Sequence, residues 1–178
     1  VASSGTDVYR GGEGRDTLDF SGIVGKLNID LGKQSASINF GSNVVIDKIS
    51  GFEVVIGNNA GDSFKGDQYA QSFSGGNGAD WMRSMGGADT LSGGSGSDRF
   101  VFLKMDARGT DTISDFELGV DKLGMADFLK GHDSLADSVR FVGGADNTMV
   151  QGLVGGVWTD IVLLKGIDIA DASHAVLL

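Results

Sequence analysis

Carboxylates recur at nine-residue intervals between residues 57 and 102. Asp62, Asp80, Asp89 and Asp98 keep the phase, and Gln71 takes the same place in one copy. Each is reached through a stretch rich in glycine, which permits positive φ, so the chain can turn tightly and aim its carbonyls inward. Carboxylates and carbonyls together make a hard, oxygen-only donor set. That set suits Ca²⁺, which takes about 6 to 8 oxygens at roughly 2.3 to 2.6 Å. The thiolates and imidazoles that transition metals prefer are missing from these copies, and the chain has no cysteine.

Short strands must position these groups. In the nine-residue frame the carboxylate is sixth, and the eighth residue is large and apolar: Phe64, Phe73, Met82, Leu91, Phe100. Side chains on a strand alternate between faces, so the eighth residue points inward while its neighbours point out. One copy is a turn plus a three-residue strand, half of a coil. Two copies close a coil, and stacked coils give two short parallel sheets with the apolar column between them. Turns on one side then stack at two-repeat spacing, with Asp62, Asp80 and Asp98 along one edge and Gln71 and Asp89 along the other. The Gln71 edge should bind less well, because a neutral amide brings one oxygen and no charge. Residues 11–19 hold an earlier copy with Gly12, Gly14 and Asp16, preceded by a worn one with Gly5, Asp7 and Tyr9. A flexible Gly/Ser/Asp linker would explain the composition but not the phase. No helix pattern follows the glycines, which argues against a phosphate-binding loop.

This stretch resembles the RTX (repeats-in-toxin) nonapeptide G-G-x-G-x-D-x-U-x, the Ca²⁺-binding parallel β-roll. Residues 75–80, 93–98 and 11–16 match closely. Residues 84–89 match more loosely, with Ser84 and Met85 replacing the leading glycines, and residues 66–74 match poorly, with Tyr69, Ala70 and Gln71 at turn positions. In that family the second- and fourth-position carbonyls join the sixth-position Asp around each ion. The resemblance therefore implies ligands at Gly12, Gly14 and Asp16; Gly76, Gly78 and Asp80; Met85, Gly87 and Asp89; and Gly94, Gly96 and Asp98, with Asp62 in the same column. Residues 103–123 contain Asp111-Thr112-Ile113-Ser114-Asp115-Phe116 and Gly119-Val120-Asp121-Lys122-Leu123, similar to the segment that caps the roll in serralysin-type proteases and alginate (mannuronan) C-5 epimerase modules. There Asp111, Asp115 and Asp121 either bind one further Ca²⁺ or act as turn residues and partners of Lys122.

The expected fold is all-β: a parallel β-roll over residues 1–123, with repeats in 2–19 and 57–101, an insertion at 20–56 and a cap at 103–123. Residues 26–31, 35–40 and 44–49 of the insertion read as strands joined by glycine-containing turns. The insertion resembles those inside secreted RTX arrays, and the plainer reading is a hairpin that only widens the roll. Residues 124–178 are not repetitive. Short helices are expected at 126–130 and 134–140, and strands at 139–142, 148–153 and 157–164, with a turn at Gly155-Gly156. Residues 168–178, with Asp168, Asp171 and the apolar end, are similar to an uncleaved type I export signal, and an ordinary packed tail explains them as well.

Glycine supplies 30 of the 178 residues, proline and cysteine are absent, and the net charge is −10. An acidic chain with pI about 4.4 lacks the clustered Lys and Arg that nucleic acid requires. No apolar run approaches the roughly 20 residues of a membrane span. With no N-terminal signal peptide visible and Val1 as first residue, the chain reads as a piece of a longer protein. The two histidines, His132 and His174, lie far apart, and neither H-E-x-x-H nor G-x-S-x-G occurs, so no active site is expected. The resemblance implies a non-catalytic Ca²⁺-binding module of a secreted bacterial protein, exported unfolded by type I machinery. The alternatives are a module binding an extracellular acidic polysaccharide such as alginate, for which Lys65, Arg83 and Arg99 are the outward cations, or an adhesin segment at the cell surface.

Overall fold

A computed structural model describes residues 5–168 and 176–177. Among these the strands form two sheets, one in the order β1-β5-β4-β3-β7-β9-β11-β13-β17 and the other β14-β15-β16-β12-β10-β8-β6-β2. The central strands follow the repeat. β7 (Ser63–Lys65), β9 (Trp81–Arg83) and β11 (Arg99–Val101) lie parallel in the first sheet. β6 (Val54–Ile56), β8 (Ser72–Asn77), β10 (Thr90–Ser95) and β12 (Asp111–Ile113) lie parallel in the second. Successive copies thus alternate between sheets, the architecture of a parallel β-roll.

Register puts every eighth-column residue in line. Phe64, Met82, Phe100 and Leu123 are cross-strand partners in the first sheet, the last on β13 (Lys122–Gly124). Leu18 on β2 (Thr17–Asp19), then Val55, Phe73, Leu91 and Ile113, are partners in the second. All are buried. The two columns meet across the roll, with the Phe64 and Phe73 rings 5.7 Å apart. A three-residue strand buries one side chain, so no single coil holds a core, and stability comes from stacking.

The insertion forms β3 (Lys26–Asp30), β4 (Ser35–Asn39) and β5 (Val44–Ser50), an antiparallel meander within the first sheet. β3 pairs in parallel with β7, and β5 pairs in parallel with β1 (Val8–Arg10). In the second sheet β2 pairs directly with β6, so the meander widens one sheet only.

Beyond the repeats lie α1 (Ala126–Leu129) and a 3₁₀ turn at Leu135–Asp137. The helix expected over 134–140 is therefore one turn, and Val139 already begins β14 (Val139–Gly143), whose Val and Phe residues favour a strand. β14, β15 (Asn147–Val154) and β16 (Val157–Lys165) are antiparallel and extend the second sheet past β12, with Gly155 and Gly156 at positive φ in the hairpin turn. β17 (Val176–Leu177) pairs with β13. Residues 169–175 and Leu178, which carry most of the expected export-signal segment, lie outside the described residues.

Candidate metal sites

The glycine turns have the geometry their residue types require. Positive φ occurs at Gly12 and Gly14, Gly76 and Gly78, Met85 and Gly87, and Gly94 and Gly96, the second and fourth positions of four copies. Met85 has φ 75°, a value that is strained for a residue with a side chain. Turns two copies apart stack closely. A methyl group on Gly94 or Gly96 would overlap the carbonyl oxygen of Gly76 or Gly78. The carbonyls of one turn therefore project into the gap beneath the next.

Carboxylates form two ladders. Along one edge the peptide N–H of Leu27 donates to Asp62 Oδ1 (2.8 Å), Asp62 to Asp80 (2.6 Å), Asp80 to Asp98 (2.8 Å) and Asp98 to Asp121 (2.9 Å). Along the other, Asp16 N–H donates to Glu53 (2.9 Å), Gln71 to Asp89 (2.6 Å) and Asp89 to Asp111 (2.9 Å). The structure thus places Asp62, Asp80 and Asp98 on one edge and Gln71 and Asp89 on the other. Each carboxylate steadies the turn before it with one oxygen.

The second oxygens divide the residues into two groups. Those of Asp16, Asp80, Asp89 and Asp98 are buried with no hydrogen-bond partner. Asp62, Asp111, Asp121 and Asp115 are instead engaged at both oxygens. Asp62 Oδ2 accepts from Asn58 N–H (3.1 Å), Asp111 Oδ2 from the Ser84 hydroxyl (2.7 Å) and Asp121 Oδ2 from Glu117 N–H (2.8 Å). Asp115 accepts the N–H groups of Gly93 and Gly94 and the Ser92 hydroxyl. In the poorly matching turn, the Gln71 amide and Asp67 bond to each other, so this turn is closed by its own side chains.

Buried carboxylates with unpartnered oxygens are costly unless something compensates them. Burial pushes Asp80 up to about 7, and the charges of Asp98 and Asp62 add to the shift. Burial first, then neighbouring charge, also raises Asp98 and the coupled pair Asp89 and Asp111. Unpartnered carboxylate oxygens beside converging carbonyls, in a site free of sulfur and imidazole, fit a hard cation such as Ca²⁺. Among the described residues no three His, Cys, Asp or Glu side chains converge on one point. That is consistent with a set built from one carboxylate per turn plus main-chain carbonyls.

One member of the ladders, Glu53, and one turn residue, Asp67, escaped sequence reasoning. Glu53 occupies the sixth position one copy upstream of residue 57, with Val55 eighth, so running the frame backwards finds it. Asp67 replaces a turn glycine, and only its partner Gln71 shows its role. The outward cations differ in their surroundings. Lys65 pairs with Asp30 (3.4 Å), and Arg83 grips Asp106 with two nitrogens (2.9 and 3.2 Å). Arg99 is exposed, with Trp81 and Lys122 as its cross-strand partners.

Two facing parallel sheets, joined by stacked glycine turns that carry buried carboxylates, define a β-roll of the RTX type, a class of calcium-binding modules. The family model described as Peptidase M10 serralysin C terminal matches residues 7–170, and the chain belongs to that family. No curated protein sequence matches the chain. Among solved structures, it is similar to the AlgE6R3 subunit of the Azotobacter vinelandii mannuronan C5-epimerase, at 23% identity over 66% of this chain and 78% of that one, with a TM-score of 0.28. The AlgE6R2 subunit of the same enzyme aligns at 24% identity over 68% and 91%, TM-score 0.30. The extracellular lipase LipA of Serratia marcescens aligns at 15% identity, TM-score 0.39; the alignment covers 98% of this chain and 34% of the lipase.

Proposed function

We propose that the chain is a non-catalytic module that folds on binding several Ca²⁺ ions outside the cell and supports the secretion and stability of a larger exported protein. The observation that carries this reading is the set of buried, unpartnered oxygens on Asp16, Asp80, Asp89 and Asp98 beside stacked turns. In this reading Gly12, Gly14 and Asp16; Gly76, Gly78 and Asp80; Met85, Gly87 and Asp89; and Gly94, Gly96 and Asp98 hold the ions. Asp62, Asp111, Asp115 and Asp121 use their oxygens to position neighbouring turns.

Without a cation the buried carboxylates repel one another, and ordering so many glycines costs conformational entropy. A bound ion turns repulsion into attraction, so its binding free energy adds to folding. Sites of the weak extracellular class, with Kd of about 10⁻⁴ to 10⁻³ M, stay empty in the cytosol and fill outside. An unfolded chain passes a type I export channel, and folding follows at the exterior. The test is a Ca²⁺ titration of EDTA-treated protein followed by far-UV circular dichroism. A transition to β-structure that Mg²⁺ does not reproduce supports the reading, and a fully folded chain in EDTA overturns it.

Binding of an acidic polysaccharide is the second reading. The exposed Arg99, aligned with Trp81 and Lys122, favours it; Lys65 and Arg83 are already engaged by Asp30 and Asp106. Titration with alginate and with a neutral glycan separates it from the first.

A further inference from the structure

Among the described residues, five carboxylates carry a buried oxygen with no partner, and the fifth, Asp47, lies in no glycine turn. Asp47 sits in the middle of the inserted strand β5 and is 1% exposed. Its cross-strand partner Ala36 and its neighbour Ile49 are also buried, so it faces the core side of the sheet. No ion pair found among the described residues involves it.

Asp47 makes the bond that the repeat carboxylates make. Its Oδ1 accepts the peptide N–H of Asp7 (2.9 Å), as Asp80 and Asp98 accept those of Asp62 and Asp80. Asp7 is the sixth residue of the worn N-terminal copy. The order Asp47-Lys48-Ile49-Ser50, carboxylate, outward, buried apolar, outward, is that of Asp62-Ser63-Phe64-Lys65. β5 runs parallel to β1 with Ile49 opposite Tyr9, the eighth-column residue of that copy. The inserted strand thus stands in for a coil that the repeat does not supply. The Tyr9 hydroxyl donates to Asp7 Oδ2 (3.3 Å). Asp47 thus holds the Asp7 peptide, the Tyr9 hydroxyl holds the Asp7 carboxylate, and the second Asp47 oxygen is buried and unpartnered. A carboxylate buried without a counter-charge is strongly unfavourable, and a divalent cation removes that cost.

We propose that Asp47 and Asp7 form a further Ca²⁺ site at the N-terminal end of the roll, supplied by the insertion rather than by a nonapeptide turn. Main-chain carbonyls and water complete shells of this kind. The site rests on the reading of the module as Ca²⁺-binding, and it makes the insertion a bridge that carries the ion ladder past the break in the repeats.

The test compares the whole chain with Asp47→Asn and Tyr9→Phe. Asp47→Asn keeps the Oδ1 acceptor and removes the charge. Bound Ca²⁺ is counted by native mass spectrometry, and Tb³⁺, a hard cation that emits when sensitised by a nearby phenol, reports on Tyr9. The expected result is one ion fewer in Asp47→Asn and loss of the Tyr9-sensitised part of Tb³⁺ emission in Tyr9→Phe. An unchanged ion count in a folded Asp47→Asn overturns the site while leaving the turn sites standing. If Asp47→Asn does not fold, unchanged emission from Tyr9→Phe overturns it alone. A whole chain that binds no Ca²⁺ overturns the functional reading and this site together.

Discussion

At the scale of single residues, the turns depend on which positions can adopt positive φ. Gly94 combines positive φ with close approach to the Gly76 carbonyl. Gly94→Ala therefore meets a left-handed penalty of about 1–2 kcal/mol and a packing penalty of about 1–3 kcal/mol. It should lower Tm in saturating Ca²⁺ and raise the Ca²⁺ midpoint. Met85 already carries the first penalty at φ 75°. Met85→Gly relieves it, offset in part by the greater backbone entropy of glycine, for a net gain of up to about 1 kcal/mol. Calorimetry on the two variants should move Tm in opposite directions.

The carboxylates make the ion-free roll sensitive to pH in a stated direction. Burial lifts Asp80 from its ordinary 3.8 to about 7. A raised folded-state pKa contributes stability that is full below about pH 4 and is lost as pH rises through about 7. Asp98 and the Asp89/Asp111 pair are shifted the same way. In EDTA, the residual β-structure read by circular dichroism should therefore fall between pH 5 and pH 8. In saturating Ca²⁺ the Tm of the folded chain should rise over the same interval, because the ion requires the ionised form. Parallel slopes in the two conditions would count against carboxylate ligation.

At the scale of elements, the non-repetitive end joins the roll through the pairing of β16 with β12 and a shared core. α1 has four residues, too short to persist alone. It is held by Phe128, fully buried over Gly152, where even a Cβ would overlap the ring. Phe128→Ala should cost about 3–5 kcal/mol if the cavity does not collapse. The loss should appear as faster hydrogen exchange over residues 126–154, before the central coils open. The same stretch shows how far pattern reading reaches. The strands at 139–143, 147–154 and 157–165 are legible in their alternation and turn glycines, whereas the helix expected over 134–140 dissolves into one 3₁₀ turn because strand pairing with β15 claims Val139.

At the scale of the whole molecule, a net charge of −10 is concentrated partly inside the structure. Screening by salt acts over a Debye length of about 10 Å at 0.1 M. In EDTA, NaCl should therefore compact the chain only in part, as read by small-angle X-ray scattering, while Ca²⁺ completes the transition at far lower concentration. Equal effects of the two salts at equal ionic strength would show that screening, not specific coordination, drives folding.

The sequence by itself determined the roll, its two edges and the carboxylate columns, because a nine-residue period leaves each residue type only one place in a stack of half-coils. The same period puts glycine at 76, 78, 94 and 96, where φ is positive and neighbouring turns leave no room for a Cβ. Tertiary structure alone decided which carboxylates keep an oxygen free. Asp80 and Asp62 share a column, yet Asn58 N–H takes the second oxygen of Asp62 and nothing takes that of Asp80. It also decided that Asp47, from a strand with no glycine turn, stands beside Asp7. That pairing depends on the register of β5 against β1, set by contacts between residues forty positions apart, which no local pattern encodes.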